Sequence, residues 1–167
     1  MKTKYNILIT GVAGFLGSHL SEKLLDLGHK VVGVDNMIGG YKDNIHKDIE
    51  FHNLDCSDFS KVRKIMKNID VVYHCAATAH EGLSVFSPYE ITKNNYLASV
   101  SIFSAAVNEK VKRIIFCSSM ARYGDQQTPF TEDMIPKPVD PYGISKVAAE
   151  DVLKNLCDLN NIEWVIA

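Results

Sequence analysis

Tyr142 and Lys146 lie four residues apart in the segment DPYGISKVAAEDVLKNL, which covers residues 140–156. The segment reads as a helix, so both side chains should project from one helical face. A phenol beside an ammonium can serve in proton transfer. A nearby positive charge favours the phenolate and lowers the pKa of a tyrosine from about 10. Tyrosine and lysine also occur at this spacing as an ordinary surface pair, so the rest of the chain has to decide between the two interpretations.

A pair of serines precedes this helix, in the segment CSSMARYG of residues 117–124. The segment follows a predicted strand, and the carboxyl end of that strand should point into the crevice where ligands bind in a parallel sheet. Either Ser118 or Ser119 could therefore reach a substrate hydroxyl. A serine hydroxyl can hold the reacting oxygen while charge develops on it. With the tyrosine and the lysine, it would complete a set of residues for proton transfer.

Three glycines lie in the segment TGVAGFLG, between the first predicted strand and the first predicted helix. Gly11 allows a tight turn, Gly14 lets the backbone approach a pyrophosphate, and Gly17 lets the helix pack closely on the sheet. The amino end of the helix favours phosphate oxygens. The spacing G-x-x-G-x-x-G differs from the G-x-G-x-x-G of many dehydrogenases, but its position predicts a dinucleotide site.

Acidic residues end the second and third predicted strands. Asp35 follows the glycines by about 20 residues, where a carboxylate can accept hydrogen bonds from a ribose diol. It would repel a 2′-phosphate, so the sequence favours NAD over NADP, although Asp35 could instead be a turn residue. Asp55 could contact the amino group of adenine or cap the following helix.

The predicted elements alternate between strand and helix along the whole chain. This order predicts an α/β fold with a doubly wound parallel sheet, that is, a Rossmann-like NAD-binding domain over residues 1–167. Four helices are predicted. The first follows strand one and ends at Gly28, and the second begins after Ser57 or Asp58. The third runs from about Pro88 to Asn108, and the fourth carries Tyr142. The six predicted strands are NILIT, KVVGVD, IEFHNLD, DVVYHCAAT, RIIFCSS and IEWVIA.

Composition excludes several classes of protein. The 167 residues are 46% hydrophobic and 23% charged, which is typical of one globular domain. The net charge of -2 argues against nucleic acid as a main partner. The apolar stretch near the amino terminus is too short for a signal peptide or a membrane span, so we expect a cytoplasmic protein. No C-x-x-C pair occurs, which predicts free thiols and no zinc site for Cys56, Cys75, Cys117 and Cys157.

The segments TGVAGFLG, HCAAT, CSSMARYG and PYGISK, in this order, resemble the extended short-chain dehydrogenase/reductase family. The resemblance covers essentially the whole chain and is greatest to the nucleotide-sugar 4-epimerases of that family. It implies a tightly held NAD and epimerisation of a nucleotide sugar at C4 by transient oxidation and re-reduction. It also implies the catalytic set Ser119, Tyr142 and Lys146. Ser119 is preferred to Ser118 because it lies four residues before Tyr123 in the pattern S-x-x-x-Y-G.

The same resemblance implies a set of cofactor-binding residues. By motif position, the glycine loop and its neighbours would contact the pyrophosphate, the residues after strands two and three would hold the adenosine, and those after strand four would lie behind the cofactor. These are Gly11, Gly14, Phe15, Leu16 and Gly17; then Asp35, Asn36, Asp55 and Cys56; then Ala76 and Ala77; with Asn95 tying the following helix to the site, and Tyr142 and Lys146 also contacting the cofactor.

Two departures from the family pattern narrow the function. Dehydratases and decarboxylases of the family carry an acidic residue where this chain has Ala121, which favours an epimerase. The chain also stops at Ala167, whereas the family pattern continues into a substrate-binding domain; we expect that domain after residue 167 and interpret the chain as an N-terminal part. An NAD(P)-dependent keto-sugar reductase or dehydrogenase, or a non-catalytic NAD-binding fragment, is the alternative.

Three further expectations concern single elements. Arg122 is predicted to be a solvated loop residue rather than a phosphate ligand. His74 is predicted to be a core or backbone-bonded histidine. The apolar stripe of the helix at 88–108 is typical of a homodimer interface in this family, although burial within the chain would produce the same stripe.

Overall fold

A computed structural model describes residues 3–167 and contains six strands and five α-helices in that range. The strands are β1 (Asn6–Thr10), β2 (Lys30–Asp35), β3 (Glu50–Asn53), β4 (Val71–His74), β5 (Arg113–Phe116) and β6 (Glu163–Ile166). The helices are α1 (Phe15–Asp26), α2 (Phe59–Ile65), α3 (Pro88–Ile91), α4 (Ala98–Asn108) and α5 (Pro141–Asn160).

All six strands are parallel and form one sheet in the order β3-β2-β1-β4-β5-β6. The predicted doubly wound sheet is therefore confirmed. The strand order reverses between β1 and β4, and in such sheets ligands bind at this point, outside the carboxyl ends of the strands. The glycine loop after β1 and the segment after β4 meet there.

Two hydrophobic clusters cover the two faces of the sheet. Successive side chains of a strand point to opposite faces. Ile7 and Ile9 of β1 accordingly pack with Leu24 of α1, whereas Leu8 belongs to the larger cluster with Phe103 of α4. Both faces of the central strand are therefore packed, and this holds the strand end from which the glycine loop begins.

Several strands end earlier than the sequence predicted. β3 ends at Asn53, β4 at His74 and β5 at Phe116, so the boundaries at Asp55, Thr78 and Ser119 were wrong. The apolar residues Cys75, Ala76 and Ala77 that follow β4 continue the pattern of a strand, but they leave the sheet to line a cavity at its carboxyl end. Two further backbone hydrogen bonds between neighbouring strands precede that departure, from the Cys75 N–H to the Thr10 carbonyl (3.3 Å) and from the Cys117 N–H to the His74 carbonyl (3.1 Å).

The predicted helix at 88–108 is continuous but not uniform. Between α3 and α4 the segment Thr92–Leu97 is π-helical. This form is rare in proteins overall, but where it occurs it often marks a functional site. Of the two residues proposed to cap α2, Asp58 does so, accepting a hydrogen bond from the Lys61 N–H at 3.2 Å. Within residues 3–167, none of the helices has the length and apolar character needed to cross a membrane.

Candidate active site

The glycine loop is shaped by two contacts that exclude a Cβ atom. Gly11 has φ +72° and donates its N–H to the Val34 carbonyl at 2.8 Å, and a Cβ there would lie 2.9 Å from the Ala76 Cα. A Cβ on Gly17 would lie 2.2 Å from the Gly11 carbonyl oxygen. The loop therefore packs against both the segment after β4 and the first turn of α1, as the glycine spacing predicted.

A cavity opens beside this loop at the carboxyl ends of β1, β2 and β4. Eight of the residues that the sequence proposed for the cofactor line it: Gly11, Gly14, Asp35, Asn36, Asp55, Cys56, Ala76 and Ala77. Nine other lining residues were not among those proposed for the cofactor, which are Ile38, Gly39, Gly40, Leu54, Cys75, Thr78, His80, Asn94 and Ala98. The Gly39–Gly40 pair was the available signal, since paired glycines mark a loop with close backbone contacts.

Asp35 organises the loop that it faces. Its carboxylate is buried and accepts hydrogen bonds from the Ala13 N–H (3.0 Å) and the Met37 N–H (2.8 Å), one on each oxygen. Each carboxylate oxygen has a second lone pair available to a ligand hydroxyl. Asp35 therefore holds the glycine loop and the turn after β2 and can still accept from a ribose. Asn36, the next residue, accepts from the Ile38 N–H at 3.2 Å.

Asp55 is a turn residue rather than a helix cap. One oxygen accepts from the N–H and the hydroxyl of Ser57, each at 2.8 Å, and the other lies 3.0 Å from the Lys93 Nζ. Burial raises the pKa of Asp55, but these hydrogen bonds outweigh it and the net direction is downward. Cys56 is buried beside it, and that burial raises the pKa of its thiol to about 12.

The π-helical segment is tied to the cavity by two amides. The Asn95 side chain accepts from the Thr78 N–H at 2.7 Å and donates to the Thr78 carbonyl at 3.3 Å. Asn94 donates to the Thr78 hydroxyl at 3.1 Å. Asn95 is buried and lies behind the cavity wall rather than in it. The extra residue of the π turn lets adjacent asparagines both reach Thr78.

Phe15 and Leu16 do not line the cavity. They form the first turn of α1, where 82% and 53% of their surfaces are exposed. The backbone N–H groups in the first turn of a helix lack intrahelical acceptors, so the backbone here offers donors to an anion. Gly17, in the same turn, is buried and serves packing.

Tyr142 is held at the start of α5. Asp140 caps the helix by accepting from the Gly143 N–H at 2.9 Å, and Pro141 occupies the first helical position. The tyrosine is buried with Ile91 and Ala121. A Cβ on Gly143 would lie 2.7 Å from the Ala121 carbonyl oxygen, so α5 approaches the turn at 120–123 closely.

The pKa of Tyr142 lies above its ordinary value in the protein alone, so Lys146 by itself does not produce the expected lowering. Burial is the main cause, because it disfavours the phenolate. The nearby Ser119 hydroxyl acts in the opposite direction, while the negative charges of Glu81 and Asp140 add to the rise. In the protein alone the phenol is therefore held in its protonated form.

Lys146 lies one turn after the tyrosine and is almost fully buried. Its Nζ donates to the Cys117 carbonyl at 2.8 Å and lies 5.8 Å from the centre of the Tyr142 ring. Burial lowers the pKa of Lys146 to about 8. The ammonium is thus anchored to the end of β5 rather than to the phenol, which explains why it does not lower the pKa of Tyr142.

The two serines have separate contacts. Ser119 begins the short 3₁₀ turn Met120–Tyr123, and its hydroxyl accepts from the Ala121 N–H at 3.2 Å while facing Tyr142. Ser118 instead donates to the buried carboxylate of Glu150. The position at the end of the strand allowed either Ser118 or Ser119 to reach a substrate, and in the structure Ser119 is the serine beside the Tyr142 phenol.

Arg122 is not a solvated residue, so that prediction was wrong. Its guanidinium lies 3.1 Å from the Glu150 carboxylate, and the side chain of Glu150 is 1% exposed. Glu150 lies two turns after Tyr142 and one after Lys146, on the same face of α5. A buried carboxylate must be paired. The sequence offered no partner because the loop and α5 are brought together only by the fold.

The residues around the cavity fit a dinucleotide. The loop packs so closely on Ala76 that no Cβ is tolerated at Gly11, the first turn of α1 has backbone N–H groups available to an anion, and the buried Asp35 carboxylate has acceptor capacity left. Ser119, Tyr142 and Lys146 lie outside the cavity lining. Lys146 is linked to the cavity through Cys117, because its Nζ binds the Cys117 carbonyl and the Cys117 sulfur lies 3.6 Å from that of the cavity residue Cys75.

The chain is similar to several proteins over nearly all of its length. Against the UDP-glucose 4-epimerase of Bacillus subtilis it is 33% identical over 171 residues, covering 96% of this chain and 50% of that protein. The structure of the Thermotoga maritima UDP-glucose 4-epimerase, solved with UDP-glucose, has a TM-score of 0.93 at 32% identity and is matched by 96% of this chain over 54% of its own. The Thermus thermophilus UDP-glucose 4-epimerase, solved with NAD, has a TM-score of 0.92 at 31% identity, with coverage of 96% and 53%.

The chain thus spans about half the length of the relatives that it matches. Residues 7–167 match the family model of the NAD-dependent epimerase/dehydratase family. Fold, motif order and this match agree with the resemblance found in the sequence. The chain belongs to the NAD-dependent epimerase/dehydratase family of enzymes, whose cofactor is the NAD that the sequence indicated.

Proposed function

We propose that this chain supplies the NAD-binding and proton-transfer part of a nucleotide-sugar 4-epimerase. The observation that carries the proposal is the burial of Tyr142 and Lys146 on one face of α5, beside Ser119 and next to the cavity. Relatives over nearly the whole chain are UDP-glucose 4-epimerases by name. The substrate would accordingly be a nucleotide sugar, with UDP-sugars as the first candidates.

In this proposal NAD is held by the residues of the cavity. Asp35 would accept from the adenosine ribose, the glycine loop and the first turn of α1 would hold the pyrophosphate, and Ala76 and Ala77 would lie behind the cofactor. When bound, NAD supplies the reversible hydride exchange that oxidises C4 of the sugar and re-reduces it on the opposite face.

The chain's own residues would move and hold the proton. Tyr142 would accept the proton of the sugar 4-hydroxyl and later return it, and Ser119 would hydrogen-bond the same sugar oxygen as charge develops. Because burial raises the pKa of Tyr142, its phenolate needs added positive charge nearby. Lys146 would orient the cofactor while its own position is fixed by the Cys117 carbonyl.

Ala121 supports epimerisation over elimination. Its side chain is buried against Tyr142, at the position where the dehydratases of the family carry an acid. An elimination needs a proton donor for the departing hydroxyl, and a methyl group cannot supply one. An epimerase needs no such group, because the hydroxyl never leaves.

The test is the interconversion of UDP-glucose and UDP-galactose. Since the chain spans half of its relatives, it is assayed both alone and fused to the C-terminal half of the Bacillus subtilis relative. We expect the fusion to interconvert the two sugars, by chromatography, without lasting absorbance of reduced nicotinamide. Lasting absorbance on turnover would instead indicate a net dehydrogenase or reductase.

Tyr142→Phe in the fusion tests the assignment of the base. Positioned acid–base groups contribute about 10²–10⁴-fold, so we expect a loss of that size with NAD binding kept. Tyr89→Phe is the matched control, because Tyr89 is 76% exposed on α3. Full activity of Tyr142→Phe would refute the proposed mechanism.

We further propose a cytoplasmic homodimer. Leu97 leaves apolar surface exposed along the helix at 88–108, and all four cysteines are free thiols, as is typical of a reducing compartment. Sedimentation of the fusion should give a dimer that Leu97→Glu dissociates. Fractionation of cells should recover the protein in the cytoplasm. A monomer would contradict the proposed homodimer, and recovery in another fraction would contradict the proposed location.

A further inference from the structure

Cys75 and Cys117 come together at the carboxyl ends of two adjacent strands. They follow the registered pair His74 and Phe116 of the parallel strands β4 and β5, and their sulfurs lie 3.6 Å apart. Neighbouring strands are about 4.8 Å apart, which falls within the Cα separations that disulfides span. Both residues are reduced thiols, 42 positions apart in the chain.

Each cysteine belongs to a different part of the site. Cys75 lines the cavity, and its backbone adjoins the Ala76 Cα that packs on Gly11. Cys117 provides the carbonyl that binds the Lys146 Nζ at 2.8 Å. A bond between the two sulfurs would therefore join the wall of the cofactor cavity to the anchor of the lysine.

The pair is also the accessible one among the four cysteines. Cys75 and Cys117 are half-buried, whereas Cys56 and Cys157 are buried. The contact with the Cys75 thiol and, after it, the Lys146 ammonium hold the pKa of Cys117 below its usual value, against the effect of burial. The same contact raises the pKa of Cys75. Cys117 is accordingly the thiolate that attacks first.

We propose that Cys75 and Cys117 are an oxidisable dithiol that a peroxide closes to a disulfide, and that this disulfide and NAD in the adjacent cavity oppose one another. The second half rests on the proposed function, since it requires that the cavity bind NAD. The first half does not.

The chemistry balances with one peroxide per disulfide. The Cys117 thiolate attacks a peroxide oxygen, the O–O bond breaks, and a sulfenic acid and one water form after uptake of a proton. The Cys75 sulfur then attacks the sulfenic sulfur, the S–S bond forms, and the S–O bond breaks to release a second water that carries the Cys75 proton. The two sulfurs supply two electrons, which reduce the peroxide. A dithiol reverses the reaction by exchange.

Closure requires movement at the cavity wall. The sulfurs must approach by about 1.5 Å to reach the length of a disulfide. The Ala76 backbone cannot follow toward Gly11, because no space is left between them. The Cys75 side chain must therefore turn from the cavity wall toward Cys117, and this alters the surface against which the cofactor lies. By reciprocity, a disulfide that weakens NAD binding is itself disfavoured when NAD is bound. Bound NAD would also shield Cys75, which lines the cavity, and so slow its reaction.

The experiment titrates the reduced 167-residue chain with hydrogen peroxide and maps its peptides without reduction. We expect a peptide pair that links Cys75 to Cys117, at a rate that saturating NAD lowers. We also expect NAD affinity, measured by calorimetry, to fall at least tenfold on oxidation and to return with dithiothreitol. The single variants Cys75→Ala and Cys117→Ser should each abolish the link, and if one of them misfolds the other still tests the proposal. Cys157→Ala, which alters a buried cysteine of α5, is the matched control and should form the link like the parent chain.

Each other result overturns part of the proposal. A link from Cys75 to Cys56, or sulfinic and sulfonic acids without a link, would refute the dithiol. A Cys75–Cys117 link that leaves NAD affinity unchanged would refute the opposition. If the reduced chain binds no NAD while the link still forms, the proposed function and the opposition fail and the dithiol stands.

Discussion

The Nδ1 of His74 lies 2.6 Å from the hydroxyl oxygen of Thr10, so a buried imidazole joins the carboxyl ends of β4 and β1. The Nε2 lies 2.9 Å from the Ser99 hydroxyl, which itself donates to the Asn95 carbonyl. Ser99 must therefore accept from Nε2–H, and Nδ1 must accept from Thr10. These contacts fix a neutral imidazole and link the glycine loop to the π-helical segment.

His74 makes the stability of the chain depend on pH in the mildly acidic range. Burial, with a smaller effect of the Lys146 charge, lowers the pKa of His74 from 6.5 to about 3. The unfolded chain takes up a proton near pH 6.5 and the native chain only near pH 3, so the free energy of unfolding should fall as the pH drops through this window. The limiting slope is about 1.4 kcal/mol per pH unit. Urea unfolding between pH 7 and 4.5 measures it.

Two substitutions isolate this effect. His74→Gln can keep both hydrogen bonds but does not titrate, so it should remove most of the slope between pH 6.5 and 4.5. His19→Gln, at an exposed position of α1, should keep it. An unchanged slope in His74→Gln would assign the pH dependence to other groups.

Asp35→Asn should reduce the preference for NAD over NADP. The amide keeps one acceptor oxygen, so either the Ala13 or the Met37 N–H loses its partner, and the repulsion of a 2′-phosphate disappears. We expect the Kd for NAD to rise about tenfold or more and the ratio of the two affinities to approach one, by calorimetry. Asp43→Asn, on an exposed turn, is the control. A chain that already prefers NADP would contradict the role given to Asp35.

Gly17→Ala should destabilise the chain and abolish NAD binding. Its Cβ would lie 2.2 Å from the Gly11 carbonyl oxygen, which belongs to backbone and cannot yield without distorting the loop. Overpacking of this kind costs about 1–3 kcal/mol in the free energy of unfolding. Gly82→Ala, with no atom within 4 Å of the added Cβ, should change it by less than about 0.5 kcal/mol. Equal effects of the two substitutions would show that the clash is relieved.

Glu150→Gln should cost about 3 kcal/mol of stability, because it leaves the Arg122 guanidinium without its buried counter-charge. Arg122→Met in addition should restore part of that loss. A double-mutant cycle by urea unfolding should give a coupling of at least about 1 kcal/mol. Asp151→Asn, which alters an exposed ion pair of the same helix, should have almost no effect. If the losses of unfolding free energy caused by the Glu150 and Arg122 substitutions are simply additive, the interaction between the two side chains contributes nothing to stability.

The sequence by itself determined the fold and indicated where the candidate site lies. Alternation of strand and helix requires crossover connections, and parallel strands with crossovers admit few topologies. The glycine spacing, the acid at the end of β2 and the spacing of Tyr142 and Lys146 are local patterns. Each acts within one turn or one strand end, so its geometry follows from backbone periodicity alone.

Only the tertiary structure decided which distant residues meet and how burial alters them. The contact of Cys75 with Cys117 depends on the register of β4 against β5, and the pairing of Arg122 with Glu150 depends on how the loop at 120–123 packs on α5. The pKa of Tyr142 rises because desolvation of the phenol outweighs its neighbours. Desolvation depends on everything packed around a group, and no spacing of residues along the chain encodes it.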